Sequence, residues 1–310
     1  MRPSPTDDTH HAAEIKSDGR TVFKNQVVTY IRKYARVFMN SGSWINIIIA
    51  IAIAIIVVNV TGAETFKEYG VTRTSAFVLV CACIWVGLFN SIQTICQERD
   101  TIRQEHFSGI SYNVFLCAHL VVDFVVSLTQ TLIFIVAVLI RYHGQMSVSG
   151  VKVFNVKAVI SLFITFLLIT FAADVLGLMI SSIVKTAAQA SIVMPFVLIL
   201  QFIISGFIFE LKGIFKIISN ITIAKWGMQA VCIALDVNTL STDVEKISNL
   251  NKSQMETINR YLEAQKADHI LEYNPGGFHF FRTILILVLF IALEFLVTMV
   301  AMRLIDKDGR

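Results

Sequence analysis

Long apolar runs alternate with short polar ones along most of this chain. An apolar run of about 20 residues suffices to cross the hydrocarbon core as a helix. Such runs recur at Trp44–Val60, Thr74–Cys96, Tyr112–Ile140, Val156–Val184, Gln189–Phe209 and Phe280–Arg303. Barrel strands would show segments of about ten residues with alternating polarity, and that pattern is absent. The pattern predicts an all-α polytopic membrane protein with six transmembrane helices. A seventh apolar stretch, Leu211–Leu235, is interrupted by Ser219, Asn220, Thr222 and Lys225-Trp226-Gly227. Irregular backbone at membrane depth has to be buried against protein, so this stretch reads as a pair of re-entrant short helices. With the outer loop it forms a segment of about 210–279 between spans five and six.

The flanks follow other rules. Residues 1–19 are polar and read as a disordered tail. Over residues 20–40, Val22, Phe23, Val27, Tyr30, Ile31, Tyr34 and Phe38 recur at helical spacing, with Lys24, Arg32, Lys33 and Arg36 between them. This is the pattern of a basic amphipathic helix lying in the membrane interface. The polar stretch Asp236–Pro275 is too short for an independent domain and is expected to pack on the re-entrant segment as an outer cap.

Composition agrees with lipid as the main solvent. The 310 residues are 55% hydrophobic and 15% charged, against about 25% charged in soluble domains, and mean hydropathy is +0.68. The net charge of +4 includes no compact basic domain, which argues against nucleic acid. The N-terminal forty residues lack the apolar core of a signal peptide, so the first span is expected to act as an uncleaved targeting signal. Lys and Arg cluster in the N-terminal segment, the loop after span two and the C-terminal tail. The positive-inside rule then places both termini in the cytoplasm and 210–279 outside.

The candidate chemistry is sparse. Cys81, Cys83, Cys96, Cys117 and Cys232 read as small apolar residues of membrane helices, not as metal or redox sites. No H-E-x-x-H, G-x-S-x-G or Cys/His cluster occurs, so neither metal nor catalytic residues are expected and a membrane-embedded enzyme is disfavoured. Asp123, Asp174 and Glu294 fall inside predicted spans. Such groups face the bundle interior, serving structural pairing or a substrate or proton path. Trp85, Phe89 and Asn90 in span two, and Phe196, Gln201 and Phe202 in span five, read on residues alone as ordinary packing or lipid-facing side chains. Phe207 is a candidate upper gate.

The most charged stretch among the spans is QERDTIRQEHFSGIS at 97–111. Arg99 and Arg103 share one helix face, Glu98 and Glu105 another, and Gly109 and Ser111 supply a helix end and a cap. On residues alone this is either a rigid docking knob or a solvated loop with incidental ion pairs.

This stretch resembles the coupling helix of ABC exporter permeases of the G-subfamily, or white/pleiotropic-drug-resistance, type. There a pattern close to E-R-x(4)-R-E-x(3)-G-x-S precedes the third span. Glu98, Arg99, Glu105, Gly109 and Ser111 match it, and Arg103 stands beside Gln104 where the family has a basic residue. The family's Lys and Asp early in span three are His119 and Asp123 here. ISSIVKTAAQA (180–190), with Pro195 and Ser205-Gly206, is similar to the family's span-four exit and span five. IISNITIAKWGMQA (217–230) resembles its re-entrant segment, and residues 20–40 its connecting helix.

The resemblance implies a permease subunit that docks an ATPase through Glu98, Arg99, Arg103 and Glu105. It implies a homodimer or a heterodimer with a second permease chain, with spans two and five lining the dimer interface and the path, where Trp85, Phe89, Asn90, Phe196, Gln201 and Phe202 are the candidates to contact an apolar substrate. The sequence has no G-x(4)-G-K-[ST] loop and no Gly-Lys dipeptide. No cofactor is therefore expected on this chain; ATP and Mg belong to a separate ATPase partner, as in bacterial systems, and the location is the bacterial cytoplasmic membrane. The alternative is a stand-alone secondary transporter or channel using the intramembrane carboxylates. Such folds often show repeated halves, and no repeat is visible.

Overall fold

The computed structural model describes residues 5–62, 65–142, 156–209, 211–240, 242 and 252–304. The loop after span three and much of the outer loop, at 143–155 and 243–251, lie outside the described residues. No strand occurs among the described residues. Helix α1 spans Pro5–Asn40, α2 Ile45–Val60, α3 Tyr69–Ser91, α4 Thr94–Gln97, α5 Arg99–Phe107 and α6 Tyr112–Tyr142. Then come α7 Val156–Ile183, α8 Ala187–Ile203, α9 Ile214–Ile218, α10 Ile223–Ala234, α11 Lys252–His269 and α12 Gly277–Leu304.

Four units, α3 with α4 (Tyr69–Gln97), α6, α7 and α12, are each long and apolar enough to cross a membrane. The six expected spans therefore include two short ones. α2 has 16 residues and α8 has 17, or about 24 and 26 Å at 1.5 Å per residue, against a core of about 30 Å. α8 stops at Ile203, not at Phe209 as the apolar run suggested. Ser205 Oγ donates to the Phe202 carbonyl at 2.7 Å, and Gly206 takes a φ of +80°, so two local features end a helix that hydropathy would continue. Its start is capped by Thr186, whose hydroxyl accepts from Gln189 N–H while Gln189 Oε1 accepts from Lys185 N–H.

The N-terminus also departs from expectation. Residues 1–19 were expected to be disordered, but α1 starts at Pro5. Proline is tolerated in a first turn, where its missing N–H is not needed, and Ala12, Ala13, Glu14 and Lys16 are strong helix formers. α1 buries Tyr30 and Tyr34 against α6 and meets α2 at a bend of 65°.

The core is built on α3 and α7. A Cβ on Gly87 would sit 2.2 Å from the Thr170 carbonyl oxygen, and one on Gly177 would sit 2.3 Å from Ser91 Oγ. Small residues let membrane helices approach until backbones touch, and these two glycines permit that approach. α10 lies against the same pair, with Gly227 facing Ile169 and Val80.

Segment 211–240 folds as α9, one turn of 3-10 helix (Ser219–Ile221) and α10, with a 78° bend between the arms. The end of α11 is anchored beside it. Gln229 donates to the Glu272 carbonyl at 2.8 Å, Asn238 to the Ile270 carbonyl at 3.1 Å, and Lys266 to the Leu240 carbonyl at 2.8 Å. Arg73 of α3 lies 3.0 Å from His269 Nε2 and 3.4 Å from the Tyr273 hydroxyl.

That arrangement fixes a tautomer. A guanidinium only donates, so His269 Nε2 accepts and Nδ1 carries the proton toward Glu272 Oε2 at 3.0 Å. The His269 hydrogen bond, helped by the charges of Lys225 and Lys216, holds the Glu272 carboxyl below its ordinary value against the opposing effect of burial. A depressed carboxylate stabilises the fold fully above its unfolded value near 4.5, and the contribution is lost as pH falls through the folded value. Hydrogen exchange across 266–273, taken relative to the intrinsic rate at each pH, should therefore accelerate on acidification below about pH 4.5. Glu272→Gln should accelerate it at neutral pH and flatten the pH response; identical profiles for the two proteins would remove Glu272 as the cause.

Candidate functional site

The charged stretch after α3 is clamped from three sides. From α1, Tyr30 donates its hydroxyl proton to Glu105 Oε2 at 2.9 Å, and Lys33 ion-pairs with Glu105 Oε1. From α7, the carbonyls of Ser182 and Val184 accept from Arg99 at 2.9 and 3.2 Å. Those carbonyls are orphans of a helix C-terminus, where a cation is favoured. From α6, His119 Nε2 lies 3.9 Å from Glu98 Oε2, and its ring lies 3.9 Å from the Tyr34 ring, tilted by 40°.

The backbone is fixed as firmly. Ser181 Oγ accepts from Ile95 N–H and Cys96 N–H at 3.0 and 3.1 Å, which turns the chain from α3 into α4. Ile102 is buried on the inner face of α5. Gly109 ends α5 at a φ of +94° with open space around it, so glycine is needed there for its conformation and not for room. Burial, then the hydrogen bond and charge of Glu105, push the Tyr30 phenol up to about 12, so it stays a donor across the physiological range. Tyr34 is pushed up as well, by burial first and then by Glu98 and Glu105.

The four residues expected to meet an ATPase thus have mainly internal roles in this structure. Glu98, Arg99 and Glu105 are half-buried and turned to α6, α7 and α1. Arg103 is half-buried with its guanidinium 5.8 Å from the Phe107 ring. The side chains left outward are Gln97, Asp100, Thr101, Gln104, Phe107 and Ser108. Their spacing of three and four places them on one helix face. Sequence reasoning singled out charge and passed over this face, on which the structure leaves Phe107 75% exposed.

The proposed path residues divide. Trp85 and Phe89 stack at 6.1 Å and are exposed, as is Phe196. Asn90 and Gln130 exchange two hydrogen bonds of 2.8 and 2.9 Å. Gln201 accepts from Ala224 N–H at 3.2 Å, in the first turn of α10. Phe207 stacks on Phe77 at 4.3 Å, Phe202 meets Phe77 edge-on at 6.2 Å, and Arg73 lies 4.9 Å from the Phe207 ring. Phe77 and Arg73 were not among the residues read from sequence; this aromatic cluster forms only when α3 meets the chain beyond α8.

Of the intramembrane acids, Asp174 is fully buried and accepts from Ser127 Oγ at 3.1 Å. Asp123 lies within electrostatic reach of it, and Glu294 is buried on α12. Each of the three keeps one oxygen without a hydrogen-bond partner. Among the described residues none of them forms an ion pair, and no metal-binding group of His, Cys, Asp and Glu exists.

Apolar helices of this number, with a polar element held between two of them, mark a polytopic membrane protein. A family profile places it more closely: the ABC-2 type transporter family matches residues 25–235, more than half of the chain. The chain belongs to that family, whose membrane domain is the permease component of an ABC transporter and not itself the ATPase, and which implies partnering with an ABC ATPase. The match runs from the second half of α1 to the end of α10, and so includes the clamped element. No curated protein matches the chain.

Proposed function

We propose that this permease is an exporter of the G-subfamily type, driven by an ATPase on a separate polypeptide, with α4 and α5 as its coupling element. The outward face of α5 carries the reading. It presents uncharged and apolar side chains around Phe107, with one acid, Asp100. An exposed aromatic of this kind suits a pocket on a docking partner. Glu98, Arg99 and Glu105 then hold the lever rigid while Gln104 and Phe107 touch the motor. A push on α5 passes to α1 through Lys33, to α7 through Arg99 and to α6 through Glu98. Three helices would thus move together in a switch between inward- and outward-facing states.

ATP and Mg bind to the partner. Two permease chains, identical or paralogous, form the path, with the exposed Trp85, Phe89 and Phe196 as candidate contacts and Phe207 with Phe77 as an upper gate. Both termini lie in the cytoplasm of a bacterial cell, α9 and α10 are re-entrant, and α11 belongs to an outer cap.

The test is co-expression with the cognate ATPase. Phe107→Ala should reduce co-purification and stimulated ATP hydrolysis about tenfold or more, as loss of an interface anchor does. Thermal stability should be unchanged, because the ring is on the surface. Full stimulation by the Phe107→Ala protein would remove this face as the docking site.

A further inference from the structure

Helices α2 and α6 enclose a groove of about 570 Å³. Ala54 and Val58 are buried at its floor, and Ile55, Leu132, Val136 and Ile140 are exposed along its rims. The polar side chains in its wall are already engaged. Thr129 Oγ donates to the Val125 carbonyl at 2.9 Å, and Asn59 Nδ2 donates to the Ile55 carbonyl at 2.8 Å. The wall is therefore apolar in effect.

One end differs. Arg141, in the last turn of α6, is exposed and lines the mouth, 5.5 Å from the Tyr142 ring. No carboxylate pairs with it among the described residues. From Thr129 to Arg141 the groove follows about 18 Å of helix at 1.5 Å per residue. Half of a hydrocarbon core is about 15 Å, so the groove spans one leaflet and ends on a cation at headgroup level.

We propose that this groove holds one acyl chain of an anionic phospholipid whose phosphate pairs with Arg141. The inference rests on the membrane assignment alone and is independent of transport direction. An apolar wall gives an acyl chain little over bulk lipid, since lipid tails are as apolar as the side chains. Residence is therefore set by the headgroup, and a guanidinium binds phosphate with paired hydrogen bonds.

The test uses the full chain in detergent and native mass spectrometry, with phosphatidylglycerol and phosphatidylcholine supplied in equal amounts. The wild type should retain about one phosphatidylglycerol per chain, at least tenfold over phosphatidylcholine. Arg141→Gln should erase that preference, and Arg141→Lys should keep most of it. Ala137→Trp, which fills the groove, should reduce retention of both lipids at least fivefold. If Ala137→Trp does not fold, Arg141→Gln, at an exposed helix end, carries the test alone. Equal retention of the two lipids by the wild type overturns the proposal, as does unchanged preference in Arg141→Gln. A dimer lost in Ala137→Trp with lipid retention intact overturns it too, by giving the groove to a second copy of the chain.

Discussion

Gly87→Val is expected to abolish the assembled protein. The first atom of any side chain at this position meets the Thr170 carbonyl oxygen at 2.2 Å and the Ala173 methyl at 2.9 Å. The nearest of these is backbone, so no rotamer change relieves it; α3 and α7 have to separate. Overpacking in a tight core costs about 1–3 kcal/mol where side chains give way, and a backbone obstacle places this case at or above the top of that range. The separation also pulls Ser91 from the Asp174 carbonyl, Ser181 from Ile95 and Cys96, and α10 from both helices. Size-exclusion chromatography of the detergent-extracted variant should show aggregate in place of a single peak. Gly277→Ala is the control, since nothing lies within 4 Å of its added methyl; it should stay within about 0.5 kcal/mol of the wild type. A monodisperse Gly87→Val protein with an unaltered melting temperature would refute the close-approach argument.

Glu105→Arg is expected to have the second largest effect, on coupling more than on folding. Glu105 ties α5 to α1 through one ion pair and one hydrogen bond, both on a half-exposed side chain. A partly exposed ion pair is worth about 0–1 kcal/mol, and a hydrogen bond to a charged group about 1.5–3 kcal/mol. Reversal also sets arginine against Lys33. Stability should fall by about 2 kcal/mol, and ATP hydrolysis stimulated in the partner should fall at least tenfold. Combining Lys33→Glu with Glu105→Lys restores opposite charges and should recover much of the loss, whereas Tyr30→Phe removes the hydrogen bond alone and should be milder. If Glu105 met the ATPase directly, the double variant would stay as impaired as the single one. This comparison separates a residue that holds the lever from one that touches the motor.

The Glu105 case also shows where sequence reasoning stops. The pattern at 97–111 identified the element, because acids and bases at helical spacing between two apolar runs are visible in one dimension. It did not reveal that Glu98, Arg99 and Glu105 turn inward, since Tyr30, Lys33, Ser182 and Val184 are 72 to 85 residues away from the side chains they meet. A charged residue on a short helix reads as solvent-facing until its partner is located. Phe107 was hidden for the opposite reason: apolar residues read as buried, and only the packed helix shows this one facing out.

By itself the sequence determined the solvent and the broad plan: lipid, helices, a basic amphipathic entry and a charged element between two apolar runs. Those follow from hydropathy and local spacing, which depend on near neighbours along the chain. The tertiary structure decided the rest. It brought Phe77 and Arg73 to Phe207, and used Gly87 and Gly177 to join α3 to α7. It also placed Arg141 at the mouth of an apolar groove. Each of these depends on residues far apart in sequence, which hydropathy does not encode.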